Sequence, residues 1–274
     1  IEPASLSPAT RLNRRMLLRD LDDERASYAQ GLHLMPINMR SGPQHAHGMA
    51  ERLPFDSEQD YRDWLSRLRA LPERLEQYEG LLTEGIAQDR VQAAIIMQRV
   101  PDQIARVVVD DPEKSPFYKA FAQVSETVDP ATAAALQAEA KRVITELLNP
   151  AYEEFGQFMG ERYLPKSRPQ PGIGSLEGGK AAYQFFVRHF TTTDLSPEAI
   201  HQIGLEEVGR IREAMKGVIK TVGFDGDIAA FNEFLRTDPQ FYYDSPEALL
   251  EGYQAISKRL DPELVKLFGK LPRI

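Results

Sequence analysis

The stretch KAAYQFFVRHFTTTDLSPEAIHQIGLEEVGRIREAM, from Lys180 to Met215, decides the fold class. It reads as an aromatic helix, a Thr191-Thr192-Thr193 turn, a Ser196-Pro197 cap and a long amphipathic helix, with Ile200, Ile203, Val208, Ile211 and Met215 expected to point inward. The cap serine can accept a hydrogen bond from a first-turn amide. The proline after it lacks an amide that would go unpaired anyway. His201 stands one turn into the second helix, where it either packs at the helix start or faces a cleft.

The same start recurs at Ser7-Pro8, Ser115-Pro116, Asp129-Pro130 and Ser245-Pro246. Tyr61, Trp64, Leu65 and Leu68 follow helical spacing, as do Leu249, Tyr253, Ile256 and Leu260, whereas strand-like alternation of similar length is missing. An all-α protein is therefore predicted, an irregular array of amphipathic helices near 7–30, 57–71, 73–89, 91–109, 115–128, 130–163, 179–190, 197–222, 227–236 and 246–268. Gly31 and Gly269 fall at the ends of the first and last of these. Pro150 predicts a kink or break at Asn149-Pro150, because proline removes a backbone bond and clashes with the preceding turn. Trp64, in mid-stripe, is expected to be buried.

Two stretches resist helix assignment. Residues 31–56 hold Pro36, Gly42, Pro43, Gly48 and Pro54 with three of the five histidines. PKSRPQPGIGSLEGG at 165–179 is rich in Pro and Gly. The expected organisation is a helical region over 1–164, the loop 165–179, and a second helical region over 180–274.

Composition narrows the function. With 42% hydrophobic and 27% charged residues the chain is an ordinary globular one. Its 33 basic against 41 acidic residues give a net charge of -8, which repels phosphate backbones and argues against nucleic acid. No uncharged apolar stretch approaches the roughly 20 residues that a membrane span needs. The chain opens on Ile1 rather than Met, as expected of a processed or trimmed product, so the lack of a leader segment says little about location. Cysteine is absent, which leaves His, Asp and Glu as the plausible metal ligands.

The familiar catalytic motifs are missing. None of His33, His45, His47, His189 and His201 is followed by Glu, so there is no HExxH helix to present two zinc ligands around a general base. His45-Ala46-His47, with Glu51 nearby, is the weak candidate for a metal from this chain. The glycines 172, 174, 178 and 179 miss the dinucleotide fingerprint because Glu177 stands where the third glycine belongs, and Ser175 lacks the flanking glycines of a nucleophile elbow. Glu153-Glu154 and Glu206-Glu207 read as solvated helix faces. Phe241-Tyr242-Tyr243 reads as a core anchor.

At TTTDLSPEAIHQIGLEEVGRI (191–211) and YLPKSRPQPGIGSLEGGKAAYQFF (163–186) the sequence resembles the bacterial family catalogued as domain of unknown function 885, whose members resemble zincin metallopeptidases. DSEQDYRDWLSRLRALPERLEQYEGLLTEGIAQDRV (56–91) resembles the helical pair ahead of that block, so the likeness covers nearly the whole chain. The resemblance implies a large, mostly helical protein with a gluzincin-like His-Glu-Ala-x-Pro-Gly-His-His motif and a downstream Glu. This sequence contains neither, and no family metal ligand maps onto any of its residues.

The expectation is thus the amino-terminal half of a zinc-dependent peptidase-like hydrolase, inactive alone, forming one wall of a substrate cleft. Zinc and the catalytic residues are expected in the half after Ile274, and a peptide as substrate. Tyr183, His201, Glu207 and Arg210 are the candidates for that cleft or junction. The partner expected is the carboxy-terminal half of the same protein, or else a second copy of the chain. The resemblance also implies export, to the periplasm or as a lipoprotein. The competing expectation is a self-sufficient helical module, without catalysis, that contacts a protein partner through 165–179.

Overall fold

The computed structural model describes residues 5–271; the ends of the expected regions, 1–4 and 272–274, lie outside them. The fold is all-α, with only isolated bridges besides helices and turns among the described residues. The contacts divide the chain into two compact units, Ile1–Pro197 and Glu198–Ile274, so the helix after the Pro/Gly-rich loop groups with the first.

In the first unit, α1 (Pro8–Ala29) precedes α2 (Glu58–Arg69) and α3 (Leu71–Ala87). Short helices α4 (Ala94–Met97) and α5 (Val100–Ala105) follow, and then a long continuous helix that includes α6 (Pro130–Val143) and α7 (Asn149–Gln157). α2 packs on α6, while α3 and α5 pack on α7. Between them lies the core, with Tyr61, Trp64, Phe117, Phe121, Tyr152, Phe155 and Tyr163 fully buried. Trp64 is buried as expected and donates its Nε1–H to the Phe117 carbonyl at 3.4 Å. The caps at Ser7, Asp129 and Ser245 accept first-turn amides, from Thr10, Thr132 and Ala248.

Several expectations are corrected. The predicted helix 91–109 is two short ones, because Gln92 and Ala94 exchange backbone bonds with Arg168 and hold that start extended, while Pro101 opens α5. The predicted helix 115–128 is a 3-10 turn, Pro116–Phe121. There the Phe121 carbonyl accepts from Gln137 and the Ser125 amide donates to the Tyr61 hydroxyl, so tertiary bonds displace the helical ladder. Within the expected loop 31–56, Pro43–Arg52 is a ten-residue 3-10 helix, anchored by the Tyr152 hydroxyl on the Pro43 carbonyl.

Pro150 does not break the long helix. A π turn, Ile144–Leu148, precedes it, and a second, Phe158–Tyr163, closes the helix. Buried residues here recur every fourth position, Ala140, Ile144, Leu148 and Tyr152, a row that drifts on a 3.6-residue helix and is straightened by a wider turn. The same widening accommodates the proline, which can neither donate a bond nor tolerate a close preceding turn.

The first unit ends with α8 (Gly179–Thr191). The second unit comprises the rest of α9 (Pro197–Thr221), α10 (Ile228–Thr237) and α11 (Pro246–Leu267). Ile219 is the only buried side chain among the described residues of these three helices. Ile203, Val208 and Ile211, expected inward, are exposed, as are Leu249, Tyr253, Ile256 and Leu260. Their pattern is amphipathic as read, but no layer within this unit covers it. Phe224, Phe231 and Phe234 cluster instead, with Phe241 edge-on to Phe234. Phe241, Tyr242 and Tyr243 are not a core anchor: all three are exposed, and the Tyr242 hydroxyl ties back to the Arg236 carbonyl at 2.6 Å.

Candidate functional site

The 165–179 segment is organised around one cation. Arg168 donates from Nε to the Val91 carbonyl at 3.1 Å and from Nη1 to the carbonyls of Gln170 and Gly172, both at 2.6 Å, and to the Ser175 hydroxyl at 3.2 Å. A guanidinium presents its donors in a rigid fork, so one side chain can gather carbonyls from several directions. Burial lowers its proton affinity, yet an arginine stays charged. The segment ends at Gly178, φ +66°, and at Gly179, where a Cβ would collide with the Ile173 carbonyl. Only glycine allows so close a backbone approach.

Arg90 ties this turn to the end of α1. It donates to the Glu177 carbonyl at 2.6 Å and packs beside Gly31, whose φ of +70° turns the chain after α1. α8 therefore enters at a fixed place beside α1. There His189 Nδ1 lies 2.9 Å from Asp23 Oδ2, and Arg19 both pairs with Asp23 at 3.7 Å and donates to the His189 carbonyl at 3.1 Å.

Between α1, α8 and the turn at Leu32–Leu34 runs a groove of about 600 Å³. That volume falls within the range of small-molecule sites, roughly 300–1,000 Å³. One wall carries Asp20 and Glu24, a helical turn apart, which form no ion pair among the described residues. The other carries Phe185, Phe186 and Phe190. His33, stacked on Tyr28 with centroids 4.0 Å apart, lines it too. Chemically the groove offers apolar faces, two free carboxylates and an oriented imidazole. That equips it to hold a peptide-like ligand, but it holds no nucleophile and no third group to complete a metal site.

The residues singled out in the sequence are dispersed. Tyr183 is half-exposed on α8 in the first unit; His201 is exposed on α9 in the second. Glu207 and Arg210, also on α9, form a two-pronged ion pair, Nη2 to Oε2 at 2.7 Å and Nε to Oε1 at 3.1 Å. His45 faces the Met39 carbonyl at 3.2 Å, whereas His47 packs edge-on to Phe117 with a buried, unpartnered Nδ1. Glu51 is turned to Lys119 at 3.1 Å. No three His, Asp or Glu converge on a metal position among the described residues, so the residues here do not fit the zinc that the family resemblance implies. The Asp23–His189 pair went unread, and no local signal could have found it across 166 residues.

A family model described as "Bacterial protein of unknown function (DUF885)" matches residues 1–274. No curated protein matches the chain. Among solved structures it is similar to one described as the "putative lipoprotein" from Colwellia psychrerythraea, with a TM-score of 0.73 and 23% identity over 80% of this chain. The match spans 39% of that protein's length, so the likeness is to the fold of part of a longer chain. No helix among the described residues is long and apolar enough to cross a membrane.

Proposed function

Since the chain belongs to the DUF885 family of bacterial proteins, we propose that it is the amino-terminal, non-catalytic half of a zinc-dependent peptidase-like hydrolase and forms one wall of its substrate cleft. The carrying observation is the apolar surface of α9 and α11, where Ile203, Val208, Ile211, Leu249, Tyr253 and Ile256 stand exposed on amphipathic helices. Contiguous apolar surface of this kind marks an interface. A similar fold that occupies only 39% of a longer protein supports a covering layer supplied by the rest of the chain. The zinc and its ligands belong in that other half. The α1–α8 groove would contact the substrate, a peptide, and export to the periplasm or as a lipoprotein follows the description of the structural relative.

The alternative, a self-sufficient binding module working through 165–179, draws less support, because the carbonyls of Gln170, Gly172 and Glu177 in that segment are already bound by Arg168 and Arg90. Co-expression of residues 1–274 with the remainder of a natural full-length chain tests the proposal. Co-purification, one zinc per complex and peptide hydrolysis that needs both parts are the expected results. A natural chain ending at residue 274, or a complex that holds no zinc, overturns it.

A further inference from the structure

A second cavity, separate from the α1–α8 groove, lies where α2 ends and α3 begins, beneath the 3-10 helix Pro43–Arg52. It has a volume of about 170 Å³ and is lined by Ala46, Met49, Trp64, Leu71, Arg67 and Arg74. An apolar protein cavity of about 150 Å³ is large enough to take up benzene. The wall formed by Ala46, Met49, Leu71 and the Trp64 ring is apolar, because the one polar atom of Trp64 is engaged by the Phe117 carbonyl.

The mouth is cationic. No carboxylate lines the cavity, and neither Arg67 nor Arg74 forms an ion pair among the described residues. Arg67 reaches only the Met49 sulfur, at 3.7 Å, and Arg74 the Tyr78 hydroxyl, at 3.4 Å. The other two arginines of α2 are neutralised, Arg62 by Glu58 and Arg69 by Glu139. In a chain of net charge -8, two guanidinium groups left uncompensated around an apolar hole define the chemistry of the occupant. A ring-sized apolar body fills the hole, and a carboxylate at its edge meets a fork of N–H donors in the geometry that arginine favours.

We propose that this cavity binds a small aromatic monocarboxylate, with the ring against Trp64 and the carboxylate between Arg67 and Arg74. The inference does not depend on the peptidase reading. Either a free acid or the carboxy-terminal aromatic residue of a peptide presents this chemistry.

Trp64 is the only tryptophan, so its emission reports this cavity alone. Titration of the chain with benzoate is expected to give a saturable change in that emission, and benzylamine, the cation of the same shape, none. The variant Arg67→Gln/Arg74→Gln should weaken benzoate about tenfold or more, as loss of a paired charge does. Ala46→Phe should abolish binding by filling the cavity while leaving the far-ultraviolet circular dichroism unchanged. N-acetylphenylalanine binding more tightly than benzoate identifies a peptide terminus as the occupant, and the reverse order a free acid. Equal binding of benzoate and benzylamine, an unchanged affinity in the double arginine variant, or no saturable signal for either acid by fluorescence and calorimetry overturns the proposal.

Discussion

His189 and Asp23 meet at 2.9 Å although 166 residues separate them, and with Arg19 they join the last turns of α8 to the middle of α1. Since α1 buries no residue among those described, polar contacts hold it there to an unusual degree. Partly exposed pairs are worth little in isolation, so a double-mutant cycle with Asp23→Asn and His189→Gln should give a coupling of about 0.5–1 kcal/mol in urea unfolding. Hydrogen exchange at the end of α8 should quicken in either variant. Strict additivity would mean that the pair is incidental.

Arg168 offers a larger effect. Replacing it with Lys keeps the charge but loses the fork that reaches Val91, Gln170 and Gly172 at once. Arg168→Lys should destabilise by about 2 kcal/mol, the range of a hydrogen-bonded charge left short of partners, and should open 165–179 to limited proteolysis. Gly179→Ala, which sets a Cβ against the Ile173 carbonyl, should open the same segment. Wild-type cleavage rates in both variants would refute the clamp.

His47 sets a pH dependence. Burial first, and then the nearby His45, hold its proton affinity below the ordinary value of 6.5. Above 6.5 neither the folded nor the unfolded chain carries this proton. As the pH falls below it the unfolded chain takes the proton up first, so stability is lost as the pH falls through the lowered native value. The drop in urea midpoint between about pH 7.5 and about pH 5 should therefore shrink in His47→Asn. An identical slope in the variant would show that other groups carry it.

Zinc supplies a fourth test. With Glu51 committed to Lys119 and the His45 ring at the Met39 carbonyl, no three ligands converge, and the chain alone should bind zinc no better than micromolar. Equilibrium dialysis that finds one tightly held zinc contradicts this. Its loss in His45→Ala/His47→Ala would then locate the metal.

Whatever depends on neighbours in sequence was legible beforehand. The caps at Ser7, Asp129 and Ser245, the stripe around Trp64 and the Gly31 turn follow from local sterics and hydrogen bonding. What depends on distant partners was not. Residues 91–93 stay extended because Arg168 binds them, and 122–128 leaves the helix because Tyr61 and Gln137 capture its backbone groups. The candidate site follows the same rule: its aromatic helix was visible as a pattern, but the acidic wall opposite comes from another part of the chain. The inward orientation of Ile203 and Val208 failed for a different reason, since amphipathicity says which face seeks cover, not whether this chain provides it.

The two π turns make the long helix a count-sensitive element. Each houses about one residue more than an α turn, and one residue corresponds to about 100° of rotation. Deleting a single residue from Ile144–Leu148 would let the helix close up as ordinary α at little local cost. It would also swing Tyr152, Phe155 and everything after them by that angle, taking the Tyr152 hydroxyl off the Pro43 carbonyl. In this helix the number of residues is therefore a stricter specification than their identity: conservative substitutions at Leu148 can be repacked, whereas a frame change of one aims half the helix away from the core.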